Sequence, residues 1–219
     1  MTHLWPWLVL LGLGALHGIN PGMGWLFALC LGLQEKRRTA VLVALPPIAL
    51  GHAISVGLVV FLVAAVSANL QPQLLQYGAA AVLIGYGIWR AVRARHPRWV
   101  GMRVGFRDLT MWSFLMASAH GAGLMLVPVF LAASSSESHA AMHDHAGGEH
   151  AGHLPFAGGP VVLTAAVIVH TLGHLVVAGL VALIFYEKLG LSVLKKAWFN
   201  IDFAWALALI ATGVILLFM

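Results

Sequence analysis

Residues 50–59 have the sequence LGHAISVGLV, and residues 172–181 have the sequence LGHLVVAGLV. Both stretches begin with Leu-Gly-His and end with Gly-Leu-Val. When the comparison is extended to residues 48–59 and 170–181, six of twelve positions are identical. Each stretch lies in an apolar segment of its own half of the chain. The match predicts that the two halves are copies of one structural unit.

Weaker matches extend this repeat towards both ends of each half. The pair His17-Gly18 corresponds to His120-Gly121. Residues 80–89 correspond to residues 206–215, with four identities: Ala80/Ala206, Leu83/Leu209, Ile84/Ile210 and Gly87/Gly213. The predicted units are therefore residues 1–107 and 108–219, each containing one member of every matched pair.

The composition is that of an integral membrane protein. The 219 residues are 61% hydrophobic and 9% charged, with a mean hydropathy of +0.92, whereas a soluble domain carries about 25% charged residues. A transmembrane helix needs about 20 apolar residues, and six segments are long enough: 4–33, 40–66, 74–92, 109–133, 160–186 and 199–218. We expect an all-α membrane fold of six transmembrane helices in two three-helix repeats.

The positive charges predict the orientation of these helices. All twelve Lys and Arg fall within residues 36–38, 90–107 and 188–196, three groups that begin at or just beyond the ends of the first, third and fifth segments. This is the positive-inside pattern of cytoplasmic loops, so the net charge of +5 does not indicate a nucleic-acid partner. We expect a bacterial-type inner membrane, with both termini and the loop 134–159 outside the cytoplasm. Three helices per half then make the repeats inverted, as in many secondary transporters.

Four histidines fall near the centres of predicted spans, in the repeated order His17, His52, His120 and His174. Ionisable residues in lipid are costly and need partners. Neutral imidazole is a good ligand for zinc, copper, nickel and iron, so we predict that these four form one metal site at the midplane. Accessory candidates are His170, one helical turn before His174, and Asn20, Met23 and Met125.

Helix-breaking residues follow the first histidine of each half. Residues 20–24 are Asn-Pro-Gly-Met-Gly, and the second half has Gly121, Gly123 and Pro128 at comparable positions. Proline removes a backbone donor and clashes with the preceding turn. Broken helices at matching places in two halves are typical of a transport site.

The predicted outside loop 134–159 is rich in histidine and acidic residues. Short tracts of this composition bind transition metals, and the glycines and serines predict a flexible segment. We expect it to capture metal through five histidines: His139, His143, His145, His150 and His153.

With its inverted three-helix halves and Asn20-Pro21-Gly22 in the first helix, the chain resembles the lysine-exporter superfamily. That group includes amino-acid exporters, nickel/cobalt transporters and thiol-electron carriers. The histidine-rich loop is similar to that of the nickel/cobalt family. The His-x4-Asp helix motif of that family is missing, since Gly22 follows His17 and Met125 follows His120 at that offset. A single cysteine, Cys30, excludes paired-thiol chemistry.

These features predict a secondary transporter of a divalent transition-metal ion, which is its substrate, with zinc, nickel, cobalt and copper all open. One alternative is a b-type cytochrome with haem b held by paired histidines; another is an exporter of amino acids or other small solutes. An intramembrane metalloenzyme would need a general base, and no span centre offers a Glu. The expected partners are the lipid bilayer and the metal ion, and the sequence leaves open a homo-oligomer or a partner subunit.

Overall fold

The computed structural model describes residues 4–67, 70–92, 105–130, 159–189 and 201–218. All regular elements within these ranges are helices, and the predicted histidine-rich loop lies outside them. The helices are α1 (Trp5–Ile19), α2 (Trp25–Glu35), α3 (Arg38–Ser67), α4 (Pro72–Val92), α5 (Phe106–Ala119), α6 (Leu124–Phe130), α7 (Gly159–Ile184) and α8 (Ile201–Leu217).

Several helices are long and apolar enough to cross a membrane. Two meet this condition alone, over Arg38–Val66 and Gly159–Lys188. The pair α5 and α6, bent by 52°, meets it as one broken span. The helices α1, α2 and residues Phe203–Leu217 of α8 are apolar but shorter. The prediction of an all-helical fold is confirmed within the described residues, and two helices, or three with the bent pair, have the length and composition of membrane spans. The count of six spans and the inverted repeats stay predictions.

The helices are arranged in closely packed pairs: α1 against α7, α3 against α5, and α4 against α8. Two of the pairs meet at the glycines of the Leu-Gly-His motifs. A Cβ atom on Gly51 would lie 2.1 Å from the Thr110 carbonyl oxygen, and one on Gly173 would lie 2.4 Å from that of Leu11. Small residues allow backbones to approach in this way in membranes, where dispersion forces rather than exclusion of water hold helices together.

The third pair, α4 and α8, has a reciprocal contact. A Cβ on Gly87 would lie 3.0 Å from the Ala206 carbonyl oxygen, and one on Gly213 would lie 3.1 Å from that of Ala80. In the sequence comparison Gly87 corresponds to Gly213 and Ala80 to Ala206. Gly87 of α4 therefore packs on Ala206 of α8, and its counterpart Gly213 packs on Ala80 of α4, which is the counterpart of Ala206.

Charged groups gather at one end of the bundle. Arg38, at the start of α3, donates to Glu187 just after α7, at 3.0 Å. Glu35 pairs with Arg37 in the turn between α2 and α3. Glu35 and Arg37 also line a cavity of about 280 Å³, together with Gly105, which precedes α5. The end of α2 and the starts of α3 and α5 thus lie on the same side as the end of α7.

The close contact at Gly51 generates a stability prediction. Gly51→Ala should destabilise the protein by about 1–3 kcal/mol, because the added methyl forces α3 away from α5. A Cβ on Gly57, in the same helix, would have no neighbouring atom within 4 Å, so Gly57→Ala should be neutral or stabilise by up to about 1 kcal/mol through helix propensity. Thermal unfolding in detergent compares the two variants, and equal effects would contradict the assigned contact.

Candidate metal centre

The first helix breaks directly after His17, for reasons visible in the sequence. Pro21 has no N–H and would clash with the carbonyl of residue 17 in a continuing helix, and a residue before proline prefers extended backbone. Asn20 accordingly has φ −69° and ψ 120°, and its side-chain oxygen accepts from the Gly22 N–H. Gly24, at φ +118°, is the N-cap residue that precedes α2. The predicted break in the first span is present.

Side chains satisfy carbonyls that this break frees. The indole N–H of Trp25 donates to the Ile19 oxygen at 2.9 Å. Nε2 of His174, from α7, lies 3.3 Å from the Met23 oxygen. Since a hydrocarbon interior has no water to fill such positions, these bonds keep the broken segment in place and connect it to α7.

The second break follows His120 and is stabilised in a similar way. Helix α5 ends at Ala119, and Gly121 adopts φ +67° before α6 begins. The Tyr86 hydroxyl donates to the Ala119 oxygen. The indole N–H of Trp205 donates to the His120 oxygen at 2.8 Å. The second predicted break is therefore also present.

Four histidines from three helices form one cluster: His17 in α1, His52 in α3, and His170 and His174 in α7. All four are fully buried. The rings of His52 and His174 stack, with centroids 4.0 Å apart and planes 5° from parallel. His170 lies 5.3 Å from His52 and 5.0 Å from His17, which is itself 5.7 Å from His52. We call these four residues the histidine cluster.

Each member of the cluster has a ring nitrogen that no hydrogen bond satisfies within the described residues. Nδ1 of His17 donates to the Leu13 oxygen at 2.7 Å, and Nδ1 of His170 donates to the Leu10 oxygen at 3.1 Å, so that Nε2 is left over in both. His174 uses Nε2, which leaves Nδ1. Both nitrogens of His52 lack a partner. Three backbone carbonyls therefore fix the tautomers of neutral rings and leave a lone pair free on each.

His120 occupies a different position. It is fully buried, but its ring stands 6.3 Å from that of Trp205, whose other ring neighbour at 4.7 Å is His17. Nδ1 of His120 donates to the Met116 oxygen at 2.7 Å, and Nε2 lies 3.2 Å from a guanidinium nitrogen of Arg90. The predicted fourth ligand is thus separated from the cluster by an indole, while His170, predicted as an accessory residue, lies within it.

The other accessory candidates line the first break or the nearby core. Asn20 is 4% exposed, and its side-chain nitrogen has no hydrogen-bond partner in the described ranges. Met23 and Met125 belong to the apolar core that contains Trp205. The five loop histidines fall outside the described residues, so their predicted role in metal capture stays a prediction.

Sequence reasoning misses two residues near the site. Arg90 belongs by sequence to the cytoplasmic charges, yet it is only 9% exposed and contacts His120. Trp205 is 6% exposed and stands between His120 and the cluster. The burial of Arg90 could have been predicted, because this residue lies inside the apolar segment 74–92 rather than after it. The position of Trp205 could not, since tryptophan in a membrane span has several common roles.

The cluster as it stands does not have the geometry of a metal site. Among the residues that the structure describes, no three His, Cys, Asp or Glu side chains are placed to hold one ion. The reason is the stacking: parallel rings 4.0 Å apart point their in-plane lone pairs side by side rather than at a common point. Binding would require side-chain rotation, and His52, which has no hydrogen bond to lose, is the ring best able to turn.

The unsatisfied nitrogens of His52 generate a second stability prediction. A buried polar group without a partner costs about 1–3 kcal/mol, so His52→Leu should stabilise the metal-free protein despite altering its core. His170→Leu also loses the hydrogen bond from Nδ1 to the Leu10 oxygen, so its increase in the free energy of unfolding should be smaller. The unfolding temperatures of the His52→Leu and His170→Leu variants, measured with a chelator present, test this expectation. A loss of stability in His52→Leu like that of a core deletion would show that this ring has a purely structural role.

Comparisons with known proteins do not add to this site. No protein-family model, no curated protein and no solved structure matches the chain. The function is therefore inferred from the chemistry of the buried residues themselves.

Proposed function

We propose that the chain is a secondary membrane transporter of a transition-metal ion that binds at the histidine cluster. The observation that carries the proposal is the set of unsatisfied ring nitrogens on four fully buried histidines. Each costs stability, and a ligand that uses the lone pairs accounts for them. Polar residues buried at membrane depth commonly mark a substrate pathway.

The tautomers support metal ligation. A metal-binding histidine usually donates its second ring N–H to a carbonyl or carboxylate, which orients the ring and raises its basicity. His17, His170 and His174 each have a backbone carbonyl in this role. His52, without such a bond, would complete the site by rotating out of the stack.

Three sets of contacts support the proposed inverted repeat. The reciprocal packing of Gly87 and Gly213 is what a twofold exchange of the halves would produce. The exchange also relates the pair α1 and α7 to the pair α5 and α3, and both pairs meet at a motif glycine. His52 and His174, which are counterparts, stack on each other, as expected for residues beside such an axis. Rocking one half against the other would then open the cluster alternately to each side.

The charged end of the bundle supports the proposed orientation in a bacterial-type inner membrane. The turn after α2, the start of α5 and the end of α7 lie together. These are the places where the three groups of basic residues begin or end in the sequence. We assign this end to the cytoplasm by the positive-inside rule, with both termini on the other side.

The alternatives from the sequence gain less support. Bis-histidine haem ligation needs a porphyrin between two rings, and His52 and His174 are in direct stacking contact at 4.0 Å. An amino-acid exporter gives no reason for the unsatisfied imidazoles. We therefore retain the metal transporter as the single proposal.

Metal binding by cluster variants tests the proposal. The test background is the full-length protein with the five loop histidines changed to Gln and Cys30 to Ser, so that neither captures metal. His170→Ala should weaken binding by more than about 100-fold, because loss of a ligand exceeds the roughly 10–100-fold effect of an outer partner. His120→Gln should weaken it by less than about tenfold.

Bound Zn(II), Ni(II) and Ag(I) are measured separately on purified protein, and uptake of the same ions is measured in proteoliposomes. Equal losses in His170→Ala and His120→Gln would contradict the assignment of the cluster. Binding of none of the three ions by the background protein would overturn the proposed function.

A further inference from the structure

The end of α7 departs from regular α-helical geometry. Residues Phe185–Leu189 form a single π-helical turn. Such turns are rare, and they occur frequently at functional sites. We call this segment the π turn. Its first three residues are Phe185, Tyr186 and Glu187, and each of them contacts another helix.

The π turn connects α7 to its neighbours at the charged end of the bundle. The ring of Phe185 lies 5.1 Å from that of Trp25 in α2. The next residue, Tyr186, packs at Gly32 of α2, where a Cβ atom would lie 3.2 Å from its ring. Glu187 then forms the ion pair with the start of α3. Three consecutive side chains thus join α7 to both α2 and α3.

Small buried residues lie between the π turn and the histidine cluster. The distance from His174 to Phe185 along α7 is about 16 Å, at a rise of about 1.5 Å per residue. Over this length α7 has Ala178 and Ala182, which share an apolar cluster with Ala44 of α3, and all three are at most 2% exposed. Alanines fill little of the space between two helices, so a modest separation of α3 from α7 would admit water here.

Helix α3 is able to bend away from α7 at this end. Pro46 and Pro47 remove two consecutive backbone donors from its interior, and proline is a common cause of helix bending. The segment before them borders the cavity of about 280 Å³, which is lined by residues of α2, α3 and α5. Among the described residues none from α7 lines this cavity, so the first turns of α3 have unfilled space on a side away from that helix.

We propose that the π turn is the gate of the histidine cluster at the charged end of the bundle. In the closed arrangement, its ion pair and aromatic contacts hold α7 to α3 and α2. When the ion pair between Glu187 and Arg38 breaks, the start of α3 bends at Pro46 and Pro47 towards the cavity, and water reaches the cluster along the buried alanines. An exposed ion pair suits this role, because it contributes little to stability and so opens readily. The inference rests on the proposed function, since it describes how an ion would reach the cluster.

The accessibility of an engineered cysteine tests the gate without any metal. The parent is the full-length protein with Cys30→Ser, which removes the single cysteine. Ala178, one helical turn after His174, is 0% exposed, and Ala178→Cys places a thiol there. A thiol in an apolar core is inert, because the reactive thiolate is disfavoured there. A charged, membrane-impermeant thiosulfonate reagent added to inside-out vesicles should therefore label this cysteine slowly.

Charge reversal at the ion pair should open the gate. Glu187→Arg replaces an exposed attraction by a repulsion and should raise the rate of labelling by about fivefold. Adding Arg38→Glu restores a pair of opposite charges and should return the rate to that of the parent. Glu35→Arg is the matched control, because it reverses an exposed ion pair, with Arg37, within the turn between α2 and α3. The control should leave the rate unchanged.

Labelling from the other side distinguishes the opening of a gate from a general loosening. Ala166, one helical turn before His170, is 1% exposed and lies on the opposite side of the cluster along α7. In spheroplasts, which expose that side to the same reagent, Glu187→Arg should not increase the labelling of Ala166→Cys. Equal increases at both cysteines, no increase at Ala178→Cys, or no reversal by the double charge swap would overturn the gate.

These measurements involve no metal, so they can overturn the gate while the binding of ions to the cluster stands. Conversely, gated labelling of a protein that binds none of the three ions would overturn the proposed function alone.

Discussion

A dry interior requires that every freed backbone carbonyl find a donor within the protein, and the arrangement of the site depends on this constraint. Both breaks free carbonyls beside a buried histidine. Trp25 and His174 satisfy those of the first break, and Tyr86 and Trp205 satisfy those of the second. Trp205, which closes the second break, also separates the histidine cluster from His120. A residue that makes this broken helix tolerable therefore also keeps one imidazole away from the other four.

The cluster is asymmetric although the sequence around it repeats. In the comparison of residues 48–59 with 170–181, Ile48 occupies the place of His170. Helix α1 packs on α7 and so brings His17 close to His170 and His174. Helix α5 packs on α3 in the equivalent way, but α3 has Ile48 where α7 has His170. His120 instead meets Arg90. The side formed by α1 and α7 thus gathers several imidazoles, whereas His120 on the other side contacts the guanidinium group of Arg90.

The sequence predicts the helices, both breaks and the burial of all five histidines well, because these depend on local composition and on proline and glycine chemistry. It also predicts that His17, His52 and His174 lie close together. It misplaces His120, since matching positions in a repeat do not have matching neighbours when the packing partners differ. The depth of Arg90 and the position of Trp205 depend on how α4 and α8 pack, which no pattern in a single apolar helix specifies. The count of six spans and the inversion of the repeats rest on charge counting and remain proposals.

The hydrogen bond between His174 and the Met23 carbonyl joins a side-chain rotation to a backbone rearrangement. Rotation of an imidazole takes place in picoseconds to nanoseconds in an open setting, whereas shifts of helical segments take microseconds to milliseconds. If the His174 ring turns, the Met23 oxygen loses its donor in a place without water, at a cost of about 1–3 kcal/mol. A penalty of that size slows the turn of the ring by about 5- to 150-fold, and the Met23 oxygen regains a donor only if the broken segment moves as well. Under the proposed function, a turn of this ring that releases an ion would therefore be coupled to a shift of residues 20–24.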